Sequence, residues 1–537
     1  MFVFYDTETT GLDRDSSQIL QIALVFTDDN LNILATKKLE CRRSPWSVPA
    51  PGAMLITGFA PDDLKFSKYS HYEMMQEVHD WIDTQHWPLT FVGYNSLNYD
   101  EPVLAQNSAQ NLLDPALTSS KNDANNQSNG RADIWVLVKT AALYMPGLLK
   151  LDTLNEYGHP SMTLQNVALQ NGVSLPDDDA HDAMHDIKAT IGIAKLLRKA
   201  APQLWDQMMQ MSTPDGVNAF LASHPVFTFA GRDHGDPKTA VMTSLPEQVL
   251  YNLSIDPAPY LDMTVDQLKD VLLAKNKTKP FTLLKNDSQP VLMPLDISDA
   301  VLPAGYNEKL YAARVHTMQS HANFLKNIAQ AALLATPQAT TPPVPAQIVQ
   351  WTKEFHAVPD WQSSAKLIED FNVRFKAELQ ADPSLSRFTE FARRIVYEHA
   401  PSNLSAAQQD SLKKAIADRV LNPDLKVSYM TIRKARQELD HIERERAQNK
   451  KKWAHATDSQ IRALKLYYTA IEKEYASYAL TPPANDNIPV QPGAKTPDAP
   501  SGPARHGAKA PDMNSGPARP DAKTPGLAKT PGLRPKP

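Results

Sequence analysis

The apolar positions of the first forty residues fall in short runs bounded by turn formers, which predicts strands. Phe2-Val3-Phe4-Tyr5 opens a buried strand near the first residue, and Ile19 to Phe26 reads as a second. Asp28-Asp29-Asn30 supplies turn chemistry, and Leu31 to Leu39 carries a third strand. With no helix between them, the three predict an antiparallel start to a sheet. The period then changes. Met74, Met75, Val78, Trp81 and Ile82 recur at helical spacing over Tyr72 to Thr84. Phe91-Val92-Gly93 is a short strand that leads through Tyr94-Asn95 to an acidic helix start at Asp100-Glu101. Ile134 to Tyr144 is an apolar helix capped by Asp133. Another helix begins at Ser161-Met162-Thr163-Leu164, with Ser161 as N-cap, and ends near Asn171-Gly172. Ile187 to Leu197 is an amphipathic helix. Strands alternating with helices to about residue 200 make an α/β unit.

Two segments break the pattern. Pro49 to Phe59 is apolar but bounded by Pro and Gly, and too short for a helix of its own. It reads as a buried loop, or as an apolar wedge packing against unpaired bases. Residues 118–130 are polar and low in complexity, and read as a mobile loop inside the first domain.

Beyond residue 201 the pattern weakens. Residues 202–345 mix helices and short strands, such as Ala240 to Thr243 and Pro280 to Leu284, and Thr341-Pro342-Pro343-Val344-Pro345 reads as a linker. Residues 346–480 read as helices. Ser428 to Trp453 is rich in both charges and ends in Lys450-Lys451-Lys452-Trp453. It is a solvated helix with local ion pairs, or a surface that meets phosphates. Ile461 to Tyr475 has core spacing. From Thr481 prolines crowd in and short motifs recur, Ser-Gly-Pro-Ala-Arg at 501 and 515 among them, so residues 481–537 are expected to be a disordered tail. The expected division is therefore 1–201, 202–345, 346–480 and the tail.

Composition narrows this picture only a little. A chain of 537 residues allows roughly three domains. No apolar run reaches the ~18 residues of a membrane span, and the N-terminus lacks a secretory pattern. Cys41 is the single cysteine, so no intramolecular disulfide forms, and Cys41 reads as an inert strand residue. A cytoplasmic monomer is the expectation. The net charge of −5 gives no global pull toward nucleic acid, so local charge has to decide.

The candidate chemistry lies in three separated segments. In Asp6-Thr7-Glu8-Thr9-Thr10-Gly11 the two acids project from one face of the strand. They repel each other unless a cation lies between them, and a divalent ion with oxygen ligands is the natural choice. A solvated strand end is the alternative. Asp100 either caps a helix or edges an active site. Arg131 is placed to meet a phosphate. Asp177 to Asp186 packs five acids and two histidines into ten residues, more like charge than stability explains. Asp182 and Asp186 share a helix face, His181 sits at its entrance, and pattern alone does not choose among these acids or between His181 and His185. Four carboxylates and a histidine in one α/β unit suit two-metal phosphodiester hydrolysis, with the histidine taking a proton from water.

The order of these motifs resembles the DEDDh 3′–5′ exonuclease superfamily, on a ribonuclease H-like fold with a mixed sheet. On that resemblance Asp6, Glu8, Asp100 and Asp186 are the four acids and His181 is the general base. Asp6, Glu8 and Asp186 then bind metal, Asp100 positions the attacking water, and two Mg²⁺ or Mn²⁺ ions occupy the site. The likeness extends to the bacterial exodeoxyribonuclease I family, through Pro51 to Gly58, Gly93-Tyr94-Asn95, Ala180 to Met184 and, more weakly, Gln289-Pro290-Val291-Leu292. It implies an SH3-like second domain, a helical third, single-stranded DNA as substrate, a role in DNA repair and recombination, and a single-stranded DNA-binding protein as partner. Thr7, Glu8, Leu55, Ile56, Thr57, Asn95, Arg131 and Thr163 are the implied substrate contacts. Thr163 stands where the family usually carries an arginine. A 3′–5′ exoribonuclease of the same fold, and a non-catalytic nucleic-acid-binding scaffold, are the alternatives.

Overall fold

The computed structural model describes residues 1–85, 88–120, 127–155, 157–174, 182–233, 236–274, 279–336, 344–448 and 450–479. His181, the centre of the 118–130 loop, most of the proline linker and the tail lie outside them.

The predicted strands form as β1 (Phe2–Thr9), β2 (Ile19–Thr27) and β3 (Ile33–Glu40). They pair antiparallel, with Asp6 opposite Ala23 and Glu8 opposite Gln21. Next come α1 (Pro51–Thr57), α2 (Asp63–Phe66), α3 (His71–Asp83), β4 (Thr90–Gly93) and α4 (Asp100–Gln110). The segment ends with β5 (Gly130–Asp133), α5 (Ile134–Tyr144), α6 (Leu164–Gln170) and α7 (Ala183–Ala200). β4 and β5 join parallel to β1, giving a mixed sheet of order β3-β2-β1-β4-β5. One face packs Val3, Tyr5, Leu24 and Phe26 against α3 and α4. The other packs Phe2, Phe4, Ala23 and Val25 against α5, α6 and α7.

Three local expectations are corrected. The Pro49–Phe59 segment holds a helix, α1. Pro51 starts it with a preset φ, and Gly58 stops it at φ +77°. Seven residues are too few for helical stability in isolation. Tertiary bonds make up the deficit: Glu438 Oε1 accepts the Gly52 N–H at 2.9 Å, and the Tyr468 hydroxyl donates to the Pro49 carbonyl at 2.9 Å. Secondly, Thr163 rather than Ser161 is the N-cap of α6, while the Ser161 hydroxyl accepts from Asn166 at 2.7 Å. Thirdly, the charged helix ends at Ala447, and Lys451–Trp453 forms a separate 3₁₀ turn.

A second sheet, antiparallel throughout, has the order β10-β6-β7-β8-β9. Its strands are β6 (Phe227–Asp233), β7 (Asp236–Leu245), β8 (Val249–Asn252), β9 (Phe281–Leu283) and β10 (Val291–Met293). The region from residue 346 is helical, and its core includes Met54 and Leu55 of α1. Ion pairs link its last two long helices, Ile432–Ala447 and Asp458–Tyr475, through Arg436–Glu472 and Lys465–Glu443. Cys41 is buried, and burial pushes its thiol up to about 12, which suits an inert residue. Among the described residues no helix is long and apolar enough to cross a membrane.

Candidate active site

Strand alternation places the site. Phe2 and Phe4 face the α7 layer and Val3 and Tyr5 face the α4 layer. Asp6 and Glu8 continue the first register, and Thr7 continues the second. One carboxylate oxygen from each of Asp6, Glu8 and Asp186 lies within 4.8 Å of the other two.

Asp100 arrives from the opposite layer. β4 pairs with β1 over Phe2 to Phe4. It then turns at Gly93, where a Cβ would come within 2.4 Å of the Ser96 Cβ. The start of α4 takes the place beside β1 that β4 leaves. There the Thr7 N–H and hydroxyl both donate to Asp100 Oδ1, at 3.2 and 2.6 Å. The capping explanation for Asp100 gives way to this tie: it is the first residue of α4, inside the cap position. Thr7, expected at the substrate, spends its hydroxyl on Asp100.

Burial, then the charges of Asp100, Glu8 and Asp186, push Asp6 well above the carboxylate range. Burial and then Asp186 and Asp100 raise Glu8 to about 9. Burial raises Asp100 to about 6 against the opposing hydrogen bonds from Thr7. Burial and mutual repulsion favour the protonated form of these acids, and a cation among them would relieve both. The all-oxygen donor set fits a hard divalent ion, which is the fit the sequence motif anticipated.

The choice between Asp182 and Asp186 is settled by geometry. Asp182 Oδ1 caps α7 by accepting the Met184 N–H at 3.0 Å, and its other oxygen pairs with Lys38. Burial opposes its ionisation, yet the Lys38 contact holds it below the usual carboxylate range. Asp186, one turn on, belongs to the acid cluster.

The remaining candidates divide. Asn95, at φ +61°, and Thr163 line one cleft with Tyr94, Trp135 and Met162. Ile56 is 36% exposed, whereas Leu55 is 3% exposed and packed in the core with the C-terminal helices, so Leu55 is not available to a base. The Thr57 hydroxyl donates to the Ala53 carbonyl at 3.0 Å. Arg131 is not presented to a phosphate: it pairs with Glu101 and donates to the Asp287 carbonyl at 2.6 Å.

Two residues escaped sequence reading. Gln21 interrupts an otherwise apolar strand, a signal that was there to find. It is buried, and its Oε1 accepts the Ala183 N–H at 3.0 Å, pinning the start of α7 beside Glu8. Asp133 does more than cap α5. Besides Trp135, it accepts the N–H groups of Asn95 and Leu97 at 2.7 and 3.3 Å. Burial raises it to about 7.

These shifts set a stability prediction. Glu8 and Asp100 hold their protons more tightly folded than unfolded, so their contribution is complete below pH ~4, the ordinary carboxylate range. It is lost as pH rises through about 6 for Asp100 and about 9 for Glu8. In chelator the melting temperature is expected to fall between pH 5 and 9. A divalent cation should reverse the loss, increasingly so at higher pH, because ligands bind metal deprotonated. At a hundred times Kd the gain is about 2.7 kcal/mol. Thermal melts at pH 5, 7 and 9, with EDTA or Mg²⁺, check this; an equal metal effect at every pH would refute it.

Residues 3–194 match the exonuclease family (RNase_T). Exodeoxyribonuclease I of Buchnera aphidicola subsp. Schizaphis graminum is 31% identical over 206 residues, which cover 38% of this chain and 41% of that protein. Exodeoxyribonuclease I of Escherichia coli K12 is 26% identical over 310 residues, 54% of this chain and 63% of that protein. The matched stretches thus span about half the length of these relatives. In structure, E. coli exonuclease I in complex with a dA16 oligonucleotide superimposes with a TM-score of 0.66 at 19% identity, covering 88% of this chain and 99% of that one. E. coli exonuclease I has also been solved in a zinc-bound single-stranded DNA complex, and an exonuclease I structure has been solved as an SSB-Ct complex. At that identity the likeness is one of fold, and it extends well past the exonuclease segment.

Proposed function

We propose that this chain, whose residues 3–194 match the exonuclease family, removes 5′-mononucleotides from the 3′ end of single-stranded DNA, in DNA repair and recombination. The observation that carries this reading is the cluster of Asp6, Glu8 and Asp186, with Asp100 tied to the same strand by Thr7. Mg²⁺, replaceable by Mn²⁺, is the proposed cofactor, two ions per site. Bound there, the ions supply Lewis acidity for the attacking and departing oxygens. Asp6, Glu8 and Asp186 would hold them. Asp100, its orientation fixed by Thr7, orients the attacking water, and His181 accepts its proton. Ile56, Asn95 and Thr163 contact the terminal nucleotides.

The division at residues 201 and 345, and a cytoplasmic location, are part of the proposal. So is a single-stranded DNA-binding protein as partner, which the SSB-Ct complex of a similar exonuclease I supports. The long chain beyond residue 201 favours DNA over short RNA as substrate.

The test is digestion of end-labelled single-stranded DNA, duplex DNA and RNA, each with Mg²⁺ and with chelator. Shortening of the single strand from its 3′ end, in Mg²⁺ only, is expected. Preference for RNA would identify the exoribonuclease alternative, and no cleavage in any arm would leave a binding scaffold.

A further inference from the structure

The loop before β10 belongs to the second sheet, yet it is fastened to β5, the strand that ties down the segment bearing Asp100. Gln289 is buried, at 2% exposure, with a left-handed backbone at φ +46°. A non-glycine residue keeps such a conformation only where its surroundings over-determine it. Here they do. Gln289 Oε1 accepts the Asp133 N–H at 2.8 Å, and its Nε2 donates to the Met208 carbonyl at 3.2 Å. Two residues earlier, the Asp287 carbonyl accepts from Arg131 Nη1 at 2.6 Å. Two of these three contacts, those to Asp133 and Arg131, land on β5.

From β5 the same two residues reach the segment that presents Asp100. The Asp133 carboxylate receives the N–H groups of Asn95 and Leu97, at 2.7 and 3.3 Å. Arg131 pairs with Glu101, the neighbour of Asp100. Residues 95–101 are thus held at both ends by β5, and β5 is held by the 287–289 loop. The same boundary is joined elsewhere too, as where the Tyr144 and Thr228 hydroxyls meet at 3.0 Å, but the contacts of the 287–289 loop are the ones that bear on β5 and so on residues 95–101.

The geometry points to Gln289 as a positioning residue for the hydrolytic site: by fixing Asp133 it sets residues 95–101, and so places Asp100 against Asp6 and Glu8. This rests on the exonuclease reading above. The second sheet then contributes to turnover itself and not only to holding a strand of DNA.

Two substrates separate these roles. One is a single-stranded oligonucleotide. The other is the p-nitrophenyl ester of thymidine 5′-monophosphate, too small to engage both the site and a distant DNA-gripping surface. Gln289→Met keeps side-chain length and removes the acceptor for the Asp133 N–H. It is expected to lower kcat between about tenfold and about a hundredfold on both substrates, the range of small misplacements at a site. KM for the ester should stay within about twofold. A loss confined to the oligonucleotide, a rise in KM at unchanged kcat, or no change would overturn the inference. If Gln289→Met does not fold, Gln289→Asn, which withdraws the amide by one methylene, is judged by the same criteria. Wild-type protein inactive on both substrates would instead remove the exonuclease reading, and this inference with it.

Discussion

Asp6→Asn is expected to lower metal-dependent hydrolysis by about a thousandfold or more while leaving the metal-free protein as stable as the wild type or more so. The two effects have one origin. Asp6 lies with Glu8 and Asp186 in a cluster whose carboxylate oxygens approach within 4.8 Å. Burial and the neighbouring charges disfavour its ionised form. A neutral amide of the same shape removes that repulsion, so the fold without metal loses nothing. The amide also removes one of the carboxylates proposed to hold the metal. Lewis-acid stabilisation of several kcal/mol goes with it, and each ~1.4 kcal/mol is a factor of ten in rate. Activity on a labelled single strand, paired with melts in chelator and in Mg²⁺, measures both halves. The Mg²⁺-induced shift in melting temperature should shrink in the variant. More than about a tenth of wild-type activity would remove Asp6 from the metal site. Loss of activity with a lower metal-free melting temperature would mean that a structural contact had been broken instead.

The sequence made Asp6 legible because a strand states its own geometry: alternation alone puts Asp6 and Glu8 on one face. The antiparallel β1–β3 meander and the α3, α5 and α7 helices were legible for the same reason, since their apolar period is long enough to read. What escaped depends on contacts between distant segments. α1 is a helix because Glu438 and Tyr468, nearly four hundred residues away, bind its N-terminal end. β5 is four residues long and begins at a glycine where a Cβ would meet Ser212 Oγ at 2.7 Å, so no local pattern announces it. Arg131 read as a phosphate ligand because its partners, Glu101 and Asp287, cannot be inferred from spacing. Asp182 and Asp186 could not be told apart in the sequence, since both suit the start of a helix. Lys38, on β3, pairs with one of them, and the other joins the acid cluster.

The second large effect concerns His181. His181→Ala is expected to lower kcat by 10²- to 10⁴-fold, the usual contribution of a positioned general base. His185→Ala should stay within about threefold, well short of that contribution. The contrast is informative because the two histidines flank the same cap. Asp182 fixes the chain at the start of α7, with one oxygen on the Met184 N–H and the other on Lys38. His181 immediately precedes that anchor in the sequence. Its proposed task requires a neutral imidazole, which makes the expected pH dependence specific. Turnover should rise with pH as the imidazole loses its proton. In His181→Ala that rise should vanish, leaving only the limb set by deprotonation of the metal ligands. The carboxylates titrate in the same direction, so the Mg²⁺ concentration must be saturating at each pH to keep them ionised. DNA binding, measured in Ca²⁺ to hold the ligands without turnover, should be unchanged within about twofold, since a proton acceptor adds little to ground-state affinity. A variant that keeps its activity, or one whose acidic limb persists unaltered, would move the role of base away from His181. Full loss in His185→Ala with retention in His181→Ala would reassign it to His185.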